Sequence, residues 1–243
     1  MTPGRDDICV IVGAAGGVGR ALAERLATGP RPGRIIALSR RRPGGWPESA
    51  RRGWMPVDLL DESSLAAAAR SVQSAGTMTQ VWVATGLLHD QGLAPEKSMR
   101  ALDAQSLTQL FQVNAVGPAL VAKHLLPCAP KDRPSQFAAL SARVGSIGDN
   151  GLGGWYGYRA AKAALNMLIR TLAVEQRRTH PLSLVVALHP GTVATALSAP
   201  FRSGRPGVMT PDQSASALID VVADLGPQDT GGFFAWDGKP IPW

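Results

Sequence analysis

The tyrosine and lysine at positions 158 and 162 are the side chains of this sequence with the most evident chemistry. They lie in an alanine-rich stretch, residues 155–178, whose composition predicts a helix. Residues four apart on a helix share a face, so Tyr158 and Lys162 point the same way. A buried ammonium beside a phenol lowers the tyrosine pKa toward the range of a proton donor and acceptor. Two side chains that merely share a helix surface are the alternative for this spacing alone.

A glycine-rich turn near the start of the chain, residues 13–19, is the second feature with chemistry. It follows an apolar run and precedes apolar residues at helical spacing, which predicts a strand, a tight turn and a helix in succession. Glycines let such a turn approach a pyrophosphate, and the helix N-terminus offers unpaired N–H groups to it. The turn therefore predicts a nucleotide site. An ordinary turn stays open, because the spacing of Gly13, Gly17 and Gly19 is not GxGxxG.

The elements that must position these residues alternate between strands and helices. A chain of 243 residues with 45% hydrophobic content suits one α/β domain over residues 1–243. This alternation predicts a Rossmann-type doubly wound parallel sheet of about seven strands, with helices on both faces and ligands at the carboxyl ends of the strands. The apolar runs place strands at residues 8–12, 34–38, 53–57, 80–84, 137–141, 182–188 and 232–236, and further helices at 62–74, 105–126, 156–178 and 212–225.

The end of the second strand points to the cofactor. In dinucleotide folds an acidic residue there binds the ribose 2′-hydroxyl, whereas arginine accommodates a 2′-phosphate. Here Ser39 takes the place of the acid and Arg40 follows directly. We therefore predict NADPH in preference to NADH, the alternative being that these arginines only cover the surface.

Three further positions, at strand ends or in the helices after them, are candidate site residues. Asp58 can reach an adenine amino group or cap the helix that follows, and Gly86 lets the chain turn tightly beside a cofactor. Asn114 is an asparagine inside an apolar helix, for which a locally satisfied core amide is the default interpretation. Residues 192–210 form a loop of mixed apolar residues suited to a substrate lid, with a plain surface loop as the alternative.

Composition argues against several other classes of protein. The net charge of +7 comes mostly from dispersed arginines, so solvated surface is favoured, an anionic ligand comes second and nucleic acid third. The chain has no signal-peptide pattern and no apolar run that could cross a bilayer, so we expect it in the cytoplasm, without a membrane partner. Two scattered cysteines, Cys9 and Cys128, are predicted to be reduced packing residues, and the histidines show no metal-ligand spacing.

Together these motifs resemble the short-chain dehydrogenase/reductase family over essentially the full length of the chain. The likeness rests on the glycine turn, Asp58, Asn114, the Tyr158-x-x-x-Lys162 pair and Pro190-Gly191. Within the family the sequence is most similar to the C-factor and sniffer-type carbonyl reductase group. That narrower likeness rests on residues 144–147, on residues 154–159 and on the ending at 231–238.

The resemblance implies hydride transfer between NADPH and a small to medium carbonyl or alcohol substrate. Tyr158 would exchange the proton with the substrate oxygen, Lys162 would bind the nicotinamide ribose and depress the tyrosine pKa, and Asn114 would hold a water in the proton relay, which replaces the core-amide default. Thr192 and Thr195 would contact the carboxamide and the phosphates. The full set of implied cofactor-binding residues is Gly13, Ala15, Gly17, Val18, Gly19, Ser39, Arg40, Asp58, Leu59, Gly86, Asn114, Tyr158, Lys162, Pro190, Gly191, Thr192, Val193 and Thr195.

The resemblance also bears on assembly and on role. It implies a homodimer or homotetramer formed through the helices at 105–126 and 156–178. The aromatic residues near the end, Phe233, Phe234, Trp236 and Trp243, can pack between subunits or, for the first three, fill the core of their own chain. A cofactor-binding regulatory or intercellular-signalling protein with little catalysis is the alternative function.

Two departures from the family pattern concern the site. Val12 stands where the family usually has a threonine, and Ala142 stands where it has the substrate-binding serine. Ser141 is one residue earlier, and a one-residue shift in a regular strand turns the side chain to the opposite face. We predict that Ser141 serves as the substrate-binding serine. Ser146, or no serine at all, remains an alternative.

Overall fold

The computed structural model describes residues 7–29, 32–204 and 206–243. Its centre is a parallel sheet of seven strands in the order β3-β2-β1-β4-β5-β6-β7. The strands are β1 (Asp7–Val12), β2 (Arg34–Ser39), β3 (Arg52–Pro56), β4 (Thr77–Val83), β5 (Ser135–Leu140), β6 (Ser183–His189) and β7 (Phe233–Ala235). The helices are α1 (Gly17–Thr28), α2 (Glu62–Ala75), α3 (Ala104–Phe111), α4 (Gly117–Leu125), α5 (Tyr156–Gln176) and α6 (Pro211–Asp224).

Helices cover both faces of the sheet, and β1 shows how the sequence builds the two layers. Its residues Ile8, Val10 and Val12 pack toward α2, α4 and α5, whereas Cys9 and Ile11 pack toward α1 and α6. Successive strand residues point to opposite faces, so a strand buried on both sides is apolar throughout. The predicted Rossmann-type doubly wound fold is confirmed, including the number of strands.

The segment 105–126, predicted as one helix, is interrupted in its middle. Residues Gln112–Val116 form a π-helical turn between α3 and α4, and the Gly117 N–H donates to the Gln112 carbonyl five residues back. The next residue, Pro118, has no N–H. The carbonyls of Val113 and Asn114 therefore lack the donors that an uninterrupted α-helix would supply. Such π-helical turns occur frequently at functional sites.

The helices, the cysteines and the aromatic residues near the end of the chain complete the description of the fold. None of the helices within the described ranges is long and apolar enough to cross a membrane. Cys9 is a buried free thiol and Cys128 a partly buried one, as predicted for packing residues. Phe233 and Phe234 pack in the core of their own chain, and the ring of Trp243 stacks on Phe233 at 5.8 Å between centroids.

Candidate active site

A cavity of about 670 Å³ opens at the carboxyl ends of β1, β4, β5 and β6. Its walls come from the start of α1, from residues 84–89 after β4, from residues 140–144 after β5, from α5 and from residues 189–193, 195–198 and 201 at and after the end of β6. The crevice beyond the carboxyl ends of the strands is where doubly wound sheets bind their ligands.

Tyr158 and Lys162 lie side by side in this cavity on the first turns of α5. Both are buried, with 7% and 2% of their surface exposed. The Lys162 Nζ lies 5.9 Å from the centroid of the Tyr158 ring and donates a hydrogen bond to the Leu140 carbonyl at 2.8 Å. The spacing thus places the phenol and the amine on one face, and Lys162 also ties α5 to the end of β5.

The protonation of the pair differs from the prediction. Burial raises the pKa of the Tyr158 phenol above its ordinary value, and burial lowers the pKa of Lys162 to about 7. Desolvation disfavours the charged form of each group, and this cost outweighs the attraction of an ammonium that already donates to a carbonyl. The predicted lowering of the Tyr158 pKa by Lys162 is therefore wrong for the protein by itself.

The buried amine makes stability depend on pH. An unfolded chain holds the lysine proton up to a pKa of 10.5, whereas the folded chain releases it near 7. The unfolded state binds more protons between these values, so the free energy of unfolding rises with pH across that window. The full shift corresponds to about 5 kcal/mol. We expect Lys162→Met to be more stable than the wild type at pH 6. Its free energy of unfolding should increase much less with pH than that of the wild type.

Chemical denaturation at pH 6, 7.5 and 9 measures the effect. The difference in unfolding free energy between variant and wild type should shrink as the pH increases. A difference that stays constant over the series would show that Lys162 keeps an ordinary pKa in the folded protein.

Asn114 is fully buried in the π-helical turn, and both the oxygen and the nitrogen of its side-chain amide form hydrogen bonds to backbone groups. Its Oδ1 accepts from the Leu87 N–H at 3.0 Å, and its Nδ2 donates to the carbonyls of Leu87 at 2.8 Å and Leu110 at 3.0 Å. The side chain therefore fixes the segment after β4. A Cβ placed on Gly86 would lie 3.5 Å from Asn114 Oδ1 and 3.8 Å from Lys162 Nζ, so glycine leaves space between these groups.

The hydroxyl of Ser141 is engaged with α5. It donates to Asn166 Oδ1 at 2.6 Å, and Asn166 Nδ2 donates to the Gly145 carbonyl at 3.3 Å. Ser146 does not line the cavity, and its hydroxyl accepts from the Asp149 N–H at 3.1 Å. Ser141 and Ala142 both line the cavity. The one-residue offset thus has a structural consequence, because in this arrangement the Ser141 proton bonds to an amide rather than to a group in the cavity.

The glycine turn has the shape of a phosphate cradle. Gly13 has a φ of +86°, and a Cβ on Gly19 would lie 2.3 Å from the Gly13 carbonyl oxygen. The N-cap of α1, Gly16, has no side chain, and the first turn of the helix contains no acidic residue. The N–H groups of that turn are therefore available to an anion such as a pyrophosphate. These residues fit the dinucleotide that the fold implies.

Other predicted cofactor residues surround this turn. Ala15 and Gly17 are exposed on it, and a Cβ on Gly17 would lie 2.6 Å from the methyl carbon of Thr195. Val18 lines the cavity, as do residues 190–193 and Thr195. Thr85, beside Gly13, has a buried hydroxyl that bonds to none of the described residues, so it offers a further polar group to a ligand.

The end of β2 presents arginines to solvent. The Ser39 hydroxyl accepts from Trp54 Nε1 at 3.1 Å and donates to the Arg41 carbonyl at 2.7 Å, which fixes this turn. Arg40 and Arg41 are exposed and form no ion pair within the described ranges, whereas Arg42 pairs with Glu48 at 3.2 Å. The turn therefore has two cationic side chains free to meet an anion.

Asp58 does not cap α2. The N-cap is Asp61, whose side chain accepts from the Ser63 N–H at 3.0 Å, so the alternative interpretation of Asp58 as the helix cap is wrong. Asp58 Oδ1 accepts from the Leu60 N–H at 3.0 Å and its carboxylate is exposed. Leu59 packs against α4, where a Cβ on Gly117 would lie 3.0 Å from it.

The segment predicted as a lid, residues 192–210, contributes Ala196, Leu197, Ser198 and Phe201 to the cavity lining. Its residue 205 lies outside the described residues. The Ala194 N–H donates to the Met209 carbonyl at 2.8 Å, and the Met209 N–H donates to the Thr192 carbonyl at 2.9 Å. Further along, the Phe201 ring lies 5.1 Å from the Trp155 ring.

Sequence reasoning assigned no site role to Trp155, which lines the cavity between Phe201 and Tyr158. Trp155 has a φ of 53°, a conformation that L residues with bulky side chains rarely adopt. The glycines before it were visible in the sequence, but the left-handed backbone at the tryptophan was not. His189 also lines the cavity, and its pKa falls to about 4 because of burial and the nearby Arg143.

Comparisons with known proteins identify the family and the fold. A family model described as short chain dehydrogenase matches residues 7–206. The C-signal of Myxococcus xanthus is 34% identical over 143 residues, which cover 58% of this chain and 81% of that protein. Two solved structures share the fold at 23% identity: the carbonyl reductase Sniffer of Drosophila melanogaster, with a TM-score of 0.84 over 98% of this chain and 99% of that one, and the NADPH-bound carbonyl reductase from chicken fatty liver, with a TM-score of 0.82 over 97% and 98%.

Proposed function

Because this chain belongs to the short-chain dehydrogenase family, we propose that it is an NADPH-dependent reductase of small to medium carbonyl compounds, or acts in the reverse direction on the alcohols. The observation that carries the proposal is the buried Tyr158 and Lys162 pair in a cavity that begins at the glycine turn. NADPH would supply the hydride. The protein would align the two reactants and move the proton.

Tyr158 is the proposed proton donor to the carbonyl oxygen. Its raised pKa keeps the phenol protonated at neutral pH, as a donor requires. Lys162, with a pKa of about 7, exchanges a proton readily at the same pH, and we assign it to the cofactor ribose and to the return of the proton to Tyr158. Both donors and one lone pair of the Asn114 side-chain amide are already bonded, so we propose that the relay water is held by the Asn114 backbone carbonyl, to which Pro118, four residues on, can donate no hydrogen bond.

The walls of the cavity favour an apolar substrate. Leu88, Leu152, Trp155 and Phe201 line it, and Ala142 provides no hydroxyl beside the reacting carbonyl. Since the Ser141 hydroxyl already bonds to Asn166, we propose that Tyr158 makes the main hydrogen bond to the substrate oxygen. Substrate recognition would then rest on packing against these walls and on the lid. Ser141 enters the proposal only if its side chain rotates away from Asn166.

The preference for NADPH is proposed on the free guanidinium groups at the end of β2. We expect Arg40→Ala to raise the KM for NADPH by about 10- to 100-fold, because a charge-assisted bond to a phosphate contributes about 1.5–3 kcal/mol. The KM for NADH, which has no 2′-phosphate, should change little. Initial rates with both cofactors measure this. A wild-type protein that prefers NADH, or equal losses with both cofactors, would overturn the preference.

The alternative is a cofactor-binding regulatory or signalling protein with little catalysis. The observation that favours it is the missing hydroxyl at Ala142, together with the likeness to a protein named C-signal. Loss of one such donor can lower a rate by about 10²-fold. A panel of aromatic and aliphatic aldehydes and ketones separates the two functions. Steady oxidation of NADPH supports the reductase, and tight NADPH binding without oxidation across the panel supports the alternative.

We further propose that the protein is cytoplasmic and assembles as a homodimer or homotetramer through α3, α4 and α5, the helices of residues 105–126 and 156–178. The exposed apolar residues Val116, Met167 and Val174 lie on or beside these helices and support this contact. Sedimentation equilibrium gives the subunit number. A monomer at micromolar concentration would overturn the proposed assembly without affecting the proposed reaction.

A further inference from the structure

One buried carboxylate has no role in the proposed hydride and proton transfer. Glu96, in the segment between β4 and α3, has 4% of its surface exposed. Both of its carboxylate oxygens accept from a single N–H, that of Gly157, at 3.3 and 3.2 Å. Its backbone carbonyl accepts from the Trp155 N–H at 2.6 Å. One residue therefore holds the start of α5 at two points, and α5 is the helix of Tyr158 and Lys162.

The start of α5 requires such support. Gly153, Gly154 and Trp155 have φ values of 63°, 65° and 53°, which makes a left-handed entry into the helix. Glycine adopts this conformation freely, but a tryptophan does so only where its surroundings enforce it. Trp155 is also the N-cap residue and its side chain supplies no capping bond. Glu96 provides from outside the helix the acceptor that a capping side chain would normally provide.

The packing around Gly157 is tight. A Cβ placed on Gly157 would lie 2.8 Å from Glu96 Oε1, 2.7 Å from Leu110 Cδ1 and 2.9 Å from Leu107 Cδ2. Only a glycine lets the carboxylate and α3 approach the helix backbone this closely. Tyr158 is the next residue along the chain, and its ring contacts that of Trp155 at 6.3 Å between centroids. A shift of this turn would therefore shift the phenol.

We propose that Glu96 is a positioning residue for Tyr158, acting through its bonds to Trp155 and Gly157. This inference rests on the proposed role of Tyr158 as proton donor. Glu96 is not among the residues that line the cavity, and its bonds go to the turn from which the phenol projects. Since a misplacement of about 1 Å can cost about 10²-fold in rate, the contribution of Glu96 would appear in kcat rather than in the binding of NADPH.

Three variants test the proposal. Glu96→Ala removes the acceptor, and we expect kcat to fall by about 10- to 100-fold while the Kd for NADPH stays within about twofold. Glu96→Gln keeps an acceptor oxygen of the same reach and should restore most of kcat. Asp61→Ala is the matched control, because it removes the N-cap of α2 and lowers the melting temperature without disturbing α5.

A readout without turnover accompanies the kinetics. Hydrogen exchange followed by mass spectrometry should show faster exchange at residues 155–160 in Glu96→Ala and wild-type exchange in Glu96→Gln. An unchanged kcat with unchanged exchange in Glu96→Ala would overturn the proposal, and so would an equal loss of kcat in Asp61→Ala. If Glu96→Ala does not fold, Glu96→Asp, whose shorter side chain loses contact with Gly157, takes its place with the same expectations.

The outcome is distinguishable from a failure of the proposed function. If the wild type oxidises no NADPH with any carbonyl, the reductase proposal fails. The exchange experiment still decides whether Glu96 holds the start of α5.

Discussion

A Tyr158→Phe variant is expected to lose at least about 10³-fold in kcat and to bind NADPH as the wild type does, because general acid catalysis contributes about 10²- to 10⁴-fold. The phenol is buried beside Lys162 and lines the cavity. Ala142 has no hydroxyl, and the Ser141 hydroxyl donates to Asn166 instead. Phenylalanine keeps the ring that packs against Trp155, so the fold should tolerate the change. Stopped-flow and steady-state assays of NADPH oxidation measure kcat, and fluorescence titration measures the Kd.

The chain provides a matched control in its other tyrosine. Tyr156 precedes Tyr158 by two residues, is 40% exposed and does not line the cavity. Tyr156→Phe should keep kcat within about twofold, since surface substitutions have small effects. Retained turnover in Tyr158→Phe, or similar losses in both variants, would contradict the assignment of the proton donor.

A Gly19→Ala variant is expected to lose NADPH binding by at least about 10²-fold, because the glycine turn that we propose to hold the phosphates cannot accept a side chain at this position. The added Cβ would lie 2.3 Å from the Gly13 carbonyl oxygen and 2.9 Å from the Gly13 carbonyl carbon. Backbone atoms cannot move aside as a flexible side chain can, so the turn and α1 must separate. Isothermal titration with NADPH gives the loss of affinity, and circular dichroism shows whether the sheet remains folded.

Gly151→Ala is the control for that experiment. Nothing lies within 4 Å of the position where its Cβ would be built, so it should bind NADPH within about twofold of the wild type. Unchanged affinity in Gly19→Ala would show that the turn does not hold the phosphates. The cofactor would then bind in another part of the cavity.

The features that depend on local sequence patterns, such as the strands and the glycine turn, can be predicted from the sequence. The strands were visible as apolar runs because strands buried on both faces admit little else. The shared face of Tyr158 and Lys162 followed from the helix period, and the family from the order of the motifs, with confirmation in the match over residues 7–206. The glycine turn was predicted because a glycine with a φ of +86° at Gly13 has few substitutes.

Contacts between distant residues could not be predicted in this way. Glu96 and Gly157 are 61 positions apart, and no period relates them. Ser141 bonds to Asn166 on α5, so its side-chain direction depends on a helix whose position the local pattern does not fix. The π-helical turn around Asn114 escaped prediction because the apolar spacing of residues 105–126 suits a continuous helix. The pKa of Tyr158 was wrongly predicted because the pattern shows a neighbouring amine but not the cost of burial.

Isotope transfer tests the proposed reaction most directly. The protein is incubated with NADPH deuterated at C4 of the nicotinamide and with the carbonyl compound that the panel identifies as most reactive. We expect the alcohol product to contain one deuterium at the former carbonyl carbon, transferred from one face of the cofactor only, with product formation abolished in Tyr158→Phe. Tight binding of NADPH without deuterated alcohol from any carbonyl in the panel would contradict the proposed reductase activity and support the cofactor-binding regulatory or signalling protein.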